Sequence, residues 1–194
     1  LEAARLNEVP LFIHVSTDEV YGEISTGAHI ETDNLDPTNP YSASKASAEM
    51  FVNSYRHSFK MPIITVRANN IYGVRQYPEK IIPKFILQLI KGKKLTLHGT
   101  GNNIRHYLSA SDFASALILL AMRGKVGETY NIGSKEEYKN IEVAEILCKF
   151  FSVNVQNNIE YVEDRPFNDF RYSLNSEKII SLGWRPKYSL EEDA

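Results

Sequence analysis

One cysteine in 194 residues, Cys148, excludes a disulfide framework. Its setting, Val143-Ala144-Glu145-Ile146-Leu147-Cys148, marks it as a small core side chain on a helix. No apolar run approaches the ~20 residues of a membrane span. No secretory signal is present, so the cytoplasm is the expected compartment and no membrane partner is expected. There is no excess of positive charge: a net charge of −2 argues against a nucleic-acid surface. The five histidines, His14, His29, His57, His98 and His106, show no metal-ligand spacing, and no metal is expected. Repeats and low-complexity stretches are also missing. Neither end carries a cap: Leu1-Glu2-Ala3-Ala4-Arg5-Leu6 reads as a helix already under way, and Glu191-Glu192-Asp193-Ala194 as one just beginning. The chain is therefore expected to be an interior piece of a longer protein, or one truncated at both ends.

What is present is ordinary in bulk and particular in detail. Apolar residues make up 43% and charged residues 24%, enough for one large domain or two small ones with a real core. An apolar run, Leu11-Phe12-Ile13-His14-Val15, predicts a buried strand over 11–17 after a helix at about 1–8. A turn-rich loop fills 22–40, and Pro40 opens a helix over about 39–59 that stops before Pro62. Pro62-Ile63-Ile64-Thr65-Val66-Arg67 predicts a second β-branched strand. Strand, helix, strand in that order implies a parallel sheet with right-handed crossovers.

After Tyr72-Gly73 the pattern shortens. A helix is predicted near 80–91, strands at 94–98 and 105–109, and a helix capped by Ser111-Asp112 that runs to about 123. A strand at 129–133, a helix capped by Asn140 to about 151, a strand at 159–162 and a short helix from Ser176 to before Gly183 complete the order. This predicts an α/β chain: the C-terminal part of a doubly wound, Rossmann-type parallel sheet in 1–75, then a smaller mixed substrate lobe in 76–194 interleaved with the sheet.

Two segments carry chemistry: Ser16-Thr17-Asp18-Glu19-Val20-Tyr21-Gly22 at the end of the first strand, and Pro40-Tyr41-Ser42-Ala43-Ser44-Lys45 at the start of the long helix. Helical spacing puts Tyr41 and Lys45 on one face. A phenol titrates near ~10 unaided. An ammonium one turn away favours the phenolate, which can then take a proton from an alcohol. Taken alone, Tyr-x-x-x-Lys is a weak signal that a surface tyrosine also satisfies, and Asp18-Glu19 alone reads as a solvated acidic turn.

Taken together the segments resemble the extended short-chain dehydrogenase/reductase superfamily, and Thr17-Asp18-Glu19 is similar to the triplet of its nucleoside-diphosphate-glucose 4,6-dehydratases. Further matches follow in order: Asn69-Asn70-Ile71-Tyr72-Gly73, Tyr77-Pro78-Glu79-Lys80-Ile81-Ile82-Pro83 and Gly99-Thr100-Gly101-Asn102-Asn103-Ile104-Arg105. They continue through Gly127-Glu128-Thr129-Tyr130-Asn131-Ile132-Gly133, Asp164-Arg165-Pro166 and Leu182-Gly183-Trp184-Arg185-Pro186.

The resemblance implies a lyase that oxidises C4 of a glucose with NAD⁺, eliminates water across C5 and C6, and returns the hydride to C6. It makes Tyr41 the base on the C4 hydroxyl and Lys45 its partner and a ligand of the nicotinamide ribose. Asp18 becomes the acid, Glu19 the C5 base, and Thr17 a hydrogen-bonding group to the sugar. Ser16 and Ile71 join Tyr41 and Lys45 around the cofactor; Asn70, Lys80, Ile81, Thr96, His98, Arg105, Asn140, Arg165 and Asn168 join Thr17 around the sugar nucleotide. Guanidinium and ammonium groups suit its diphosphate. For His98 a satisfied or solvated histidine is an equal reading. The resemblance also implies a homodimer joined through the Tyr41 helix, where Ala46, Met50, Val52 and Phe59 fit an interface or a core equally.

Three departures narrow this. The glycine-rich turn that cradles the NAD pyrophosphate in such folds is absent, and the ten glycines are scattered through loops. On the order of a hundred residues, the first βαβαβ half, have no counterpart, so residues 1–194 alone are expected to bind NAD poorly and to be inactive. The dTDP-glucose enzymes of bacteria carry Arg-Pro-Gly-His-Asp and Arg-Asp-Trp where this chain has Arg165-Pro166-Phe167-Asn168-Asp169 and Arg105-His106-Tyr107. Phe167-Asn168 is more similar to plant UDP-glucose dehydratases, which leaves both nucleotides open with a lean to UDP. Alternative readings are a sugar-nucleotide epimerase or decarboxylase, which the paired acids disfavour, and an incompetent fragment or binding module.

Overall fold

A computed structural model describes residues 1–165 and 167–193; Pro166 and Ala194, part of two segments singled out above, lie outside the described residues. The chain opens with α1 (Glu2–Leu6), shorter than predicted, because Glu8 already takes a positive φ of 49°. β1 (Phe12–Thr17) runs into a 3-10 turn, Asp18–Tyr21. α2 (Pro40–Phe59) starts where Asn39 Oδ1 accepts from Ser42 N at 2.9 Å, with proline at its first position, and ends at Lys60 in the left-handed region. β2 (Ile63–Ala68) pairs parallel with β1 in the register Thr17↔Ala68.

β3 (Asn70–Tyr72), α3 (Ile81–Ile90), β4 (Leu95–His98), β5 (Ile104–Ser109) and α4 (Ala110–Arg123) follow. β6 (Thr129–Ile132) then joins β2 parallel and closes a sheet of order β1-β2-β6. After it come β7 (Glu137–Lys139), α5 (Asn140–Phe150), α6 (Val155–Asn158), β8 (Ile159–Val162), α7 (Glu177–Ser181) and α8 (Leu190–Asp193). β3 and β5 pair parallel, β5 and β7 antiparallel, and β4 and β8 parallel. The fold is α/β with parallel strands, as the strand–helix–strand order predicted.

Two predicted caps are corrected. Ser109, not Ser111-Asp112, caps α4, its Oγ accepting from Ser111 N at 3.3 Å. Asp112 is buried and instead accepts from the main-chain N–H groups of Lys187 and Tyr188. Asn140 is the first residue of α5 rather than its cap; the end is closed by Lys139 N donating to Glu142 Oε2 at 2.7 Å.

Apolar burial divides between two places. Ile64, Val66, Leu120, Ile132 and Trp184 pack on the β1-β2-β6 sheet; Phe85, Leu95, Leu97, Leu147 and the buried Cys148 fill the lobe around β4 and α5. Each fully buried aliphatic or aromatic side chain contributes about 1.5–3 kcal/mol.

Between α2 and the sheet lies a buried ion pair. Arg67 Nη2 is 2.7 Å from Glu49 Oε2, and Arg67 Nη1 donates to the Tyr21 hydroxyl at 2.6 Å, which donates to Asn131 Oδ1 at 2.8 Å. Burial opposes the Arg67 charge, but Glu49 outweighs it and holds the guanidinium above its usual range. The network joins the helix that carries Tyr41, the turn that carries Asp18 and Glu19, and the sheet beneath both.

Candidate active site

The carboxyl ends of β1 and β2 stop together, and parallel sheets place ligands beyond that edge. A cleft of about 470 Å³ opens there. It takes Ser16 and Thr17 from β1, Glu19 from the 3-10 turn, Tyr41 and Lys45 from α2, and Asn70 and Ile71 from β3. The lobe adds Lys80, Ile81, Thr96, His98, Arg105, Asn140, Arg165 and Asn168. Of the residues singled out from the sequence, Asp18 alone does not line it. Asp18 is 3% exposed, one layer behind Thr17.

Burial pushes the Asp18 carboxyl up to about 6, helped by the nearby Glu19 charge and opposed by hydrogen bonds from Asn69 and Thr17 and by the Arg105 charge. Thr17 Oγ1 donates to Asp18 Oδ1 at 3.1 Å, and Glu19 N donates to Thr17 Oγ1 at 3.3 Å. Glu19 itself is steered by Asn39, whose Nδ2 donates to Glu19 Oε2 at 3.2 Å. The residue that caps α2 therefore also holds the carboxylate facing Tyr41.

Tyr41 differs from the sequence expectation. Its phenol, on a residue 55% exposed, is raised above the usual range by partial burial first and then by the charges of Glu19 and Asp18, against a hydrogen bond with Thr17. Lys45 Nζ donates instead to the Val15 main-chain oxygen at 2.7 Å. The ammonium shares a helix face with Tyr41, yet it is spent on a carbonyl.

On the lobe side Arg105 is committed to protein. Its guanidinium donates to the main-chain oxygens of Ile104 (2.7 Å) and Asp169 (2.9 Å) and lies 5.0 Å from the Tyr172 ring centre. Lys80 and Arg165 are exposed cations at the rim. His98 donates through Nδ1 to the Glu163 oxygen at 3.2 Å, a satisfied histidine that nonetheless lines the cleft. Asn168 donates to Asp164 at 3.0 Å.

Sequence reasoning did not single out Asn39, Asn69, Asp169 or Tyr172 as site residues. Asn39 directly precedes the Pro-Tyr that opens α2, Asn69 lines the cleft at the head of the Asn69-Asn70-Ile71-Tyr72-Gly73 match, and Asp169 and Tyr172 pack behind site residues. Tyr172 donates to Asp169 Oδ2, Asp169 Oδ1 accepts from Thr38 at 2.9 Å, and burial pushes the Tyr172 phenol up. A second cleft of about 950 Å³, lined by His106, Lys135, Glu137, Asn175 and Arg185 among others, holds none of the predicted site residues. Among the described residues no group of His, Cys, Asp or Glu is arranged to hold a metal ion, and no helix is long and apolar enough to cross a membrane.

The trifunctional UDP-glucose 4,6-dehydratase/UDP-4-keto-6-deoxy-D-glucose 3,5-epimerase/UDP-4-keto-L-rhamnose-reductase of Arabidopsis thaliana is 47% identical over 99% of this chain and 29% of that protein. The structure of dTDP-glucose 4,6-dehydratase DesIV from Streptomyces venezuelae, with NAD and TYD bound, superposes with a TM-score of 0.95 at 36% identity, over 99% of this chain and 60% of that one. UDP-glucuronic acid 4-epimerase from Bacillus cereus, in complex with UDP-glucuronic acid and NAD, reaches 0.92 at 28% identity, over 99% and 61%. The chain thus spans less than two thirds of the length of these relatives. The family model described as GDP-mannose 4,6 dehydratase matches residues 1–193, and to that family this chain belongs.

Proposed function

We propose that the chain carries the catalytic and sugar-nucleotide-binding residues of an NAD-dependent nucleoside-diphosphate-glucose 4,6-dehydratase. The observation that supports this reading is the grouping of two carboxyls and a phenol around Thr17. A C4 epimerase needs a proton acceptor at one oxygen; a second base and an acid are needed only for elimination. Tyr41 takes the C4 hydroxyl proton, for which its raised phenol must ionise, as the positive charge of a nicotinamide bound beside it would favour. Glu19, facing the cleft, takes the C5 proton once C4 is a ketone. Asp18 gives its proton to the C6 oxygen, which leaves as water, and Thr17 is the hydroxyl through which the buried acid meets the sugar. Glu19 returns its proton to C5, so the product is a 4-keto-6-deoxyglucose and water. NAD, when bound, supplies the acceptor of the C4 hydride and its donor to C6.

The residues present fit the ribose end of such a cofactor. Ser16 Oγ is buried without a hydrogen bond among the described residues, and Tyr41, Lys45 and Ile71 line the same cleft. The pyrophosphate end has no glycine-rich turn in this sequence. Lys80 and Arg165 are the cations left for the substrate diphosphate, and UDP-glucose is preferred over dTDP-glucose on the Phe167-Asn168 pair. The reading includes a cytoplasmic homodimer joined along α2, where Met50, Phe51 and Phe59 are exposed; Ala46 and Val52 are buried within the chain and are not part of that face. It also assigns 1–75 to the cofactor domain and 76–194 mainly to the substrate lobe.

The test is product mass. The protein expressed from its complete gene, given NAD and UDP-glucose or dTDP-glucose, is expected to yield a sugar nucleotide lighter by one water. An isomer of unchanged mass would establish the epimerase reading instead. Purified 1–194 is expected to retain no stoichiometric NAD; retention would show that the glycine turn is dispensable.

A further inference from the structure

Thr17 and Ala68 end their strands side by side, so the next residues of the two strands meet: Asn69 in the cleft wall and Asp18 behind it. Asn69 Nδ2 donates to Asp18 Oδ2 at 2.9 Å. The Asn69 main chain is pinned to β6 by its N–H on the Ile132 oxygen at 3.2 Å, and the residue is 4% exposed. Its amide oxygen is buried and makes no hydrogen bond among the described residues. That oxygen rests against Gly133, where an added Cβ would lie 2.0 Å away, so the missing side chain at 133 is what admits the amide. Gly133 is itself held by its N–H on Ser176 Oγ at 2.9 Å. The result is a slot in which the amide has one hydrogen-bond partner, the Asp18 carboxyl.

A carboxylate only accepts, whereas a carboxylic acid also donates, and a primary amide offers a donor on one side and an acceptor on the other. The Asn69 oxygen bonds nothing else, so turning the amide over breaks no hydrogen bond except the one to Asp18, which it remakes in the opposite sense. We propose that Asn69 is a positioning residue that keeps Asp18 in place in both protonation states, donating to the carboxylate and accepting from the acid, with Gly133 providing the room. The other groups facing Asp18 are the Glu19 carboxylate, the Arg105 guanidinium, the Thr17 hydroxyl and, beyond it, the Tyr41 phenol. Asn69 and the Thr17 hydroxyl are the neutral groups among them that hydrogen-bond Asp18, and Asn69 is the one set on the side away from Tyr41 by the Gly133 slot. The role of Asp18 as proton donor rests on the dehydratase reading; its coupling to Asn69 does not.

The test is an NMR titration of carbon-13-labelled aspartate in the protein expressed from its complete gene, with the Asp18 signal assigned by Asp18→Asn. Asn69→Leu removes the partner of both forms; because the hydrogen bond to the charged carboxylate is the stronger of the two, the Asp18 pKa is expected to rise by about one unit. Asn69→Ser, which truncates the amide below reach of the carboxyl, is expected to shift it in the same direction if the leucine variant does not fold. Gly133→Ala is expected to displace the amide and raise the Asp18 pKa with Asn69 intact. An Asp18 pKa unchanged in a folded Asn69 variant overturns the proposal. In turnover, the limb of the kcat profile set by the acid moves with the NMR pKa while KM for the sugar nucleotide holds. A pKa shift without dehydratase activity would leave the Asn69 coupling standing and remove only the dehydratase reading.

Discussion

Lys45 Nζ donates to the main-chain oxygen of Val15 at 2.7 Å, on the side of β1 that faces away from β2. Phe12 N donates to Pro62 O, so alternate residues, Ile13 and Val15, turn their main-chain groups outward. Lys45 thereby meets a carbonyl that β2 does not use, and the charges that raise the Tyr41 phenol are those of Glu19 and Asp18. We expect the Tyr41 phenol to titrate above the ordinary 10.0. A difference titration by ultraviolet absorbance between wild type and Tyr41→Phe measures it; a phenol ionising below free tyrosine would show that Lys45 turns toward it in solution.

Asp18 sets a pH dependence of stability. The folded state keeps its proton to about 6, whereas the unfolded carboxyl loses it near 3.8. The unfolded state binds fewer protons in that window, so stability falls as pH rises through it and stays lower above. Asp18→Asn removes this cost, and the stabilisation is expected to reach at most about 3 kcal/mol above neutrality and to vanish near pH 3. Urea unfolding at pH 4 and pH 8 decides it: equal midpoint shifts at both values would mean that the buried carboxyl does not titrate late.

How far the site was legible depended on whether a contact is local. α2 was readable because Pro40 and Pro62 punctuate it, and β1 and β2 because their apolar, β-branched runs match a buried parallel strand. β7 was not, since three residues carry no alternation and its place is set by pairing with β5, Arg105 opposite Tyr138. Ser111-Asp112 looked like a cap until Asp112 was seen to hold the main chain 75 residues away. The spacing of Tyr41 and Lys45 was visible, but the Val15 carbonyl that captures the lysine lies 30 residues off. Asn69 meets Asp18 across 51 residues, a register relation that no window of sequence displays.

Arg67 and Glu49 are both buried, and the pair ties α2 to the sheet beneath the site. Arg67→Met leaves the Glu49 carboxylate without its partner and strips a donor from Tyr21. A loss of about 3–5 kcal/mol is expected. The double variant Arg67→Met with Glu49→Leu should recover much of it, because no buried charge is then left alone. Denaturant unfolding of the three proteins checks this; a single variant as stable as wild type would mean that water reaches Glu49.

Asn39 joins two functions that substitutions can separate. Its Oδ1 caps α2 by accepting from Ser42 N at 2.9 Å, and its Nδ2 donates to Glu19 at 3.2 Å and Asp169 at 3.4 Å. Asn39→Ala loses both and is expected to cost about 1 kcal/mol, a fall of roughly 2–4 °C in Tm for a chain of this size. Asn39→Asp keeps the capping oxygen but replaces the donor with a carboxylate between two others. Its Tm should lie closer to wild type at pH 4, where carboxyls are partly protonated, and fall further as pH rises to 8 through repulsion with Glu19 and Asp169. If Asn39→Asp melts with the same pH dependence as wild type, the amide is not the group that steers Glu19.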